Sequence, residues 1–301
     1  GHRLSGSEGA SKAVEWTEKI MNDYGFDKVY KQDLFVPNWK RGDKEIARII
    51  DSNEDLSVLA LGMSVATPKD GIRAKIIEVQ GLEDLESLGR ENIEGKIVFF
   101  NRPTDQRLIL TGAAYGGAVD QRASGPSMAA RYGAVGVVIR SVGTAFDDVP
   151  HTGGIKYKDG IEKIPAAALG VKSADRLTLA LKKNSNTELF LKMNCKTLED
   201  APSHNVIGEL VGTEFPDQII TVGGHIDSWD VGHGAHDDGA GCMQSIQVLR
   251  LFQKLDIKPR HTIRAVMFMN EENGTRGGLK YAELAKKNKE SHLVALESDA
   301  G

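Results

Sequence analysis

The chain has 301 residues, of which 40% are apolar and 27% charged, and its formal net charge is −4. That balance is ordinary for a globular protein and leaves no basic patch for a nucleic-acid partner. No apolar run reaches the roughly 18 residues that a membrane-spanning helix needs.

The length accommodates one large domain or two moderate ones. The opening GHRLSGSEGA has neither an initiator Met nor an apolar signal core, so the chain reads as an excerpt from a longer precursor. Residues 9–24 place Val14 and Met21 at helical spacing, and Gly25 is a helix stop. DKVYKQDLFV (27–36) alternates as a strand does, and SVLALGMS (57–64) is a second short apolar strand.

The texture changes near residue 67. IRAKIIEVQG, GKIVFFNRP and AVGVVIRSV are short β-rich runs separated by Gly, Pro and charge. SMAARYG (127–133) predicts a short helix, and residues 163–183 a strand followed by a helix. We therefore expect a β-rich module over 67–191, inserted into a main domain made of 1–66 and 192–301. Of the two cysteines, Cys195 and Cys242, the sequence permits a disulfide or two buried thiols, and they do not reveal the compartment.

From residue 203 an α/β rhythm sets in. QIITVGG (218–224) is a strand and 241–255 a helix with Met243, Ile246, Leu249 and Phe252 on one face. TIRAVMFM (262–269) is a nearly continuous apolar strand, as expected when both faces of a sheet are covered. A helix over 275–288 and a strand over 292–298 follow. Strand–helix–strand order implies right-handed crossovers and a mixed, mostly parallel sheet between helices, an α/β fold.

The acids fall at the ends of those strands. His225 and Asp227 follow the first, Glu271 and Glu272 the second, Asp299 the third, and Asp237 opens the next helix. Open α/β sheets bind ligands at the carboxyl ends of their strands. One such acid alone is an ordinary turn or cap residue. The whole set, on successive strand ends, would repel itself and hold protons unless a cation compensated it. Imidazole and carboxylate donors suit zinc. The acids exceed what one tetrahedral ion needs, so two ions sharing a carboxylate, roughly 3.5–4 Å apart, account for the surplus. His233 and His236 lie in the Gly-rich loop and read as solvated, with ligation as the alternative. His204 and His292 flank strands without acidic company and read as structural. No serine-nucleophile motif occurs in a convincing setting.

GGHIDSWDVGHGAHDDGAG (223–241), NEENG (270–274) and LESDAG (296–301) resemble the metal motifs of the co-catalytic zinc exopeptidases, a family that includes bacterial leucyl aminopeptidases and glutamate carboxypeptidases. HRLSG at the start, KIVFFNRP, and PHTGG with DGIEKIPAAAL extend the likeness over nearly the whole chain. The resemblance implies a zinc-exopeptidase sheet with an inserted protease-associated domain. It implies His225 and Asp299 as terminal ligands of a first zinc, Asp237 as the bridge, and Glu272 on a second zinc. Glu271 becomes the general base and Asp227 the acid that orients His225. It also implies a cis peptide at Asp237–Asp238. The family's second zinc takes a further His from a later loop, which these residues do not include, so the catalytic domain reads as C-terminally incomplete. The implied activity is hydrolysis of short peptides, mainly dipeptides with free termini, in a secreted, lysosomal or periplasmic setting, and a homodimer is compatible with it. An aminopeptidase with a different pocket and a non-catalytic receptor-like relative are the alternatives.

Overall fold

A computed structural model describes residues 1–299. The final two residues of the LESDAG motif lie outside that range. The chain forms two compact units, one made of Gly1–Asn38 with the segment from Leu198 onward, the other of Trp39–Thr197.

The first unit is built on a five-stranded sheet. Its order is Lys28–Lys40, Lys196–Leu210, His261–Phe268, Phe215–His225 and Ser291–Glu297. Strand 215–225 runs parallel to 261–268, with His225 opposite Phe268, and parallel to 291–297, with Gly223 opposite Glu297. Strand 196–210 is antiparallel to 261–268, with Val206 opposite Met267. The sheet is therefore mixed. Residues that directly follow three parallel strands emerge on one edge, which is where the His and acids were expected.

Strand 261–268 explains its own continuous apolar run. Successive side chains alternate between faces. Ile263, Ala265 and Met267 pack with Val206, Val14 and Met21 of helix Glu8–Asp23, and Ile246 and Leu249 of helix Gly241–Lys254. Val266 points the other way, into a cluster with Ile207 and with Tyr281 of helix Arg276–Asn288. Helices thus cover both faces. Helix 8–23 starts where Ser7 accepts a hydrogen bond from the Ala10 amide at 3.2 Å, and ends before Gly25, which takes a φ of 70°.

Arg264 shares the Val266 face and is buried there. Its Nε lies 2.7 Å from Glu209 Oε1, and its Nη1 lies 2.7 Å from Glu290 Oε2 and 3.1 Å from the Tyr281 hydroxyl. Arg264→Met is expected to cost about 3 kcal/mol, because it strands buried Glu209 with only the rim ammonium of Lys28, at 3.3 Å, as cation. Urea unfolding measures it, and a loss near zero would mean that the cost of burying the guanidinium offsets what its ion pairs contribute.

The second unit holds an eight-stranded sheet ordered 54–56, 46–49, 188–192, 72–79, 97–100, 136–140, 166–169, 58–60. The run from 72–79 through 166–169 is parallel. The strands at 46–49 and 58–60, assigned to the main domain in the sequence reading, pair here antiparallel with 188–192 and 166–169. The partition accordingly falls at residues 39 and 197 rather than 67 and 191. The unit also contains helices, among them Gly125–Arg131 and Val171–Lys183. Cys195 and Cys242 are buried thiols and form no disulfide. No described helix is long and apolar enough to cross a membrane.

Candidate metal centre

His225, Asp237 and Asp299 each offer a ligand atom, and these atoms lie within 4.8 Å of one another. His225 Nε2 is 3.0 Å from Asp237 Oδ1 and 3.3 Å from Asp299 Oδ1. The histidine is buried while the two carboxylates are exposed, so the cluster opens to solvent at its acidic side.

Local contacts fix the ring. Nδ1 sits 3.1 Å from the backbone carbonyl oxygen of Asp227, the geometry of an N–H donating to it, which leaves Nε2 free to face the acids. The imidazole is thus oriented by the main chain of Asp227, whose carboxylate stands 3.8 Å from Nδ1. That carboxylate serves another turn. Its Oδ1 accepts the Glu271 amide at 3.0 Å and its Oδ2 the Glu272 amide at 3.3 Å. Asp227 therefore ties the end of strand 215–225 to the residues that follow strand 261–268.

Asp238 was singled out in the sequence only for its peptide bond. It is fully buried, and its carboxylate accepts the His225 amide at 2.8 Å and the Gly241 amide at 3.0 Å, at the start of helix 241–254. Gly224 makes room for this: a Cβ there would lie 2.4 Å from Asp238 Oδ2 and 2.6 Å from the Cys242 nitrogen. The Asp237–Asp238 peptide is cis. Arg3, from the HRLSG stretch, grips the loop between His225 and Asp237. Its side chain donates to the carbonyl oxygens of Ile226 at 2.7 Å, His233 at 3.0 Å and Gly234 at 2.7 Å. Such contacts span more than two hundred positions and leave no trace in local periodicity.

Glu271 and Glu272 lie outside the three-residue ligand group, yet their charges reach His225. His233 and His236 are exposed and also outside it. His204 pairs with Asp33 at 3.0 Å, and His292 contacts Thr221 and Glu290 at 3.1 and 3.0 Å.

The electrostatics are those of a site short of positive charge. Burial, then the Asp237 charge, pushes Glu272 up to about 8. Burial also raises Glu271 and Asp227. Burial disfavours the imidazolium, but the hydrogen bond to Asp237 and the charges of Asp227, Glu272 and Glu271 outweigh it and push His225 up to about 10. A nitrogen and two carboxylate oxygens converging on one point, with surplus acids around them holding protons, fit a divalent cation of the zinc type.

A pH dependence follows. These groups bind protons more tightly folded than unfolded, so they favour the metal-free fold at low pH and that contribution is lost as pH rises. The window runs from 4.5 to about 8 for Glu272 and from 6.5 to about 10 for His225. Zinc takes the place of those protons. The rise in Tm on adding zinc should therefore grow from about pH 5 to about pH 8. Thermal melts with and without zinc check it, and an equal shift at every pH would contradict it.

A five-stranded mixed sheet covered by helices, with a His and acids gathered at one edge, has the donors of a metal site in an α/β fold. Residues 205–300 match Peptidase family M28. The chain belongs to that family: it is 38% identical to a Peptidase M28 precursor from Shewanella amazonensis SB2B, with a TM-score of 0.94 over 99% of this chain and 67% of that one. It is also 37% identical to Carboxypeptidase Q of Xenopus laevis, over 100% of this chain and 62% of the relative. The chain thus spans 62% of the length of the curated relatives it matches first. A zinc aminopeptidase from Bacillus subtilis shares the fold, with a TM-score of 0.70 at 21% identity over 100% of this chain and 65% of that one.

Proposed function

We propose that this chain carries a zinc site of an exopeptidase that hydrolyses short peptides, with dipeptides bearing free termini as the main substrates. The observation that carries the reading is the convergence of His225, Asp237 and Asp299 beyond the ends of adjacent strands, with the Glu271 amide tethered to the same place by Asp227. In this reading His225, Asp237 and Asp299 would hold one zinc, and Glu272 would contribute to a second. Zinc bound there supplies Lewis acidity, polarising the scissile carbonyl and acidifying a water. Glu271 would accept a proton from the attacking water and deliver it to the leaving amine. Its burial keeps its pKa above the usual carboxylate range, which brings it nearer the pH at which a base works best. The Asp227 carbonyl holds the His225 ring in the tautomer that presents Nε2. The second unit is read as a protease-associated domain that shapes substrate choice. The location is read as extracytoplasmic.

The test is a panel of free and N-blocked dipeptides and longer peptides, run on the full-length protein with zinc quantified. Cleavage of free dipeptides with zinc bound supports the reading. Preference for the first residue of longer peptides would make it an aminopeptidase, and zinc binding with no hydrolysis of any peptide would make it a receptor-like relative.

A further inference from the structure

The turn that carries Glu271 and Glu272 is held by a ring of hydrogen bonds that closes through a residue far away in the chain. Ser5 is 1% exposed. Its hydroxyl lies 3.1 Å from Asp227 Oδ2, to which it donates, and accepts from the Asn270 side-chain nitrogen, also at 3.1 Å. Asp227 in turn receives the amides of Glu271 and Glu272. The path leaves the turn through the Asn270 side chain and returns to it through the next two backbone amides. Asn270 itself sits at a φ of 72°, a left-handed conformation that Asn tolerates better than most residues. Its side-chain oxygen also accepts the Arg276 amide at 3.3 Å, at the start of the following helix.

We propose that Ser5 is a positioning residue for this turn: its hydroxyl fixes Asp227 so that Asp227 can hold Glu271 and Glu272 at one setting relative to His225. The proposal rests on the peptidase reading for the role of Glu271, but the geometry it asserts does not. A serine hydroxyl has one hydrogen to donate. The nearest other acceptor is Met269 Sδ, at 3.9 Å, a weak one. Given to Asp227, that hydrogen leaves the oxygen lone pairs for Asn270, so both neighbours are satisfied at once. Removing the oxygen leaves a buried amide N–H and a carboxylate lone pair unmatched, and the turn has reason to shift toward other partners.

Ser228 provides the contrast. Its hydroxyl accepts the Arg3 amide at 3.0 Å and its own amide donates to the Arg3 carbonyl at 3.3 Å, so it anchors the same N-terminal segment without touching Asp227 in any of these bonds. If Ser5 merely helps that segment to stay folded, Ser5→Ala and Ser228→Ala should act alike.

The experiment compares the full-length protein with Ser5→Ala, Ser5→Thr and Ser228→Ala by hydrogen-exchange mass spectrometry, following fragments over residues 269–274, and by dipeptide kinetics with zinc quantified. Ser5→Ala is expected to speed exchange in that fragment by about tenfold, and to lower kcat by about tenfold with KM within about twofold, the scale of one hydrogen bond lost from a positioned group. Zinc content should stay at the parent level. Ser5→Thr keeps the hydroxyl and should restore both readouts, and Ser228→Ala should leave the fragment as in the parent. Unchanged exchange in Ser5→Ala, or equal loosening in Ser5→Ala and Ser228→Ala, overturns the proposal. Should the parent hydrolyse no peptide at all, the peptidase reading falls and the exchange comparison still decides whether Ser5 sets the turn.

Discussion

Glu271→Gln is expected to lower turnover by at least about a hundredfold, the usual scale for removing a general base, while zinc content stays that of the parent. Gln has the size of Glu and keeps the backbone amide that donates to Asp227 at 3.0 Å, so the turn should hold its place. What disappears is the capacity to take a proton. Glu271 is not among the three residues whose ligand atoms converge, so metal binding should not depend on its charge in the way it depends on His225. Turnover is measured at saturating dipeptide, and zinc by elemental analysis of the same sample. A variant that retains full activity would remove Glu271 from proton transfer and turn attention to another acid of the edge.

The second large effect is the loss of zinc and of activity together in His225→Ala. The imidazole is the only nitrogen donor in the convergent group, and its two neighbours are carboxylates that would face each other with less to bind them to a cation. The backbone around it should survive, because the contact to Asp238 is made by the His225 amide, which alanine retains. The loop histidines supply the comparison. His233→Ala and His236→Ala should leave zinc content unchanged and turnover within a few-fold of the parent, since both side chains are exposed and outside the convergent group. Loss of an equivalent of zinc from either loop variant would mean that the loop folds inward to ligate, and the assignment of donors would have to change.

The ligand candidates were legible because of where they sit. His225, Glu272 and Asp299 come at or just past the ends of apolar runs that read as strands, and parallel strands deliver their next residues to a common edge; Asp237 instead lies in the loop before the next helix. The register bears on this directly: His225 is opposite Phe268, so Asp227 and Glu271 come next on neighbouring strands. Other parts were hidden for physical reasons. Strand 196–210 begins with an exposed polar half containing Pro202, and only its second half is buried, so no alternating pattern announces it. The short strands at 46–49 and 54–56 have three or four residues each, too few to show which sheet they join. Arg264 interrupts an apolar run, and nothing local reveals that Glu209 and Glu290 wait for it on other elements. Ser5 reads as one more small residue near a terminus until the chain has folded.

Asp237 and Asp238 are chemically identical neighbours with opposite surroundings. One is exposed and faces the His225 ring, and the other is wholly buried and joins a strand end to a helix start. Sensitivity to change is therefore split across a single peptide bond: altering the first residue disturbs what the protein can hold, and altering the second disturbs whether the frame assembles. The length of the stretch from 228 to 236 is constrained, because a slip of one position would put one acid in the other's place and move the other out of the pair. For anyone redesigning this edge, the two residues are separate design variables, and a library that randomises them jointly would mix folding failures with binding failures under one phenotype.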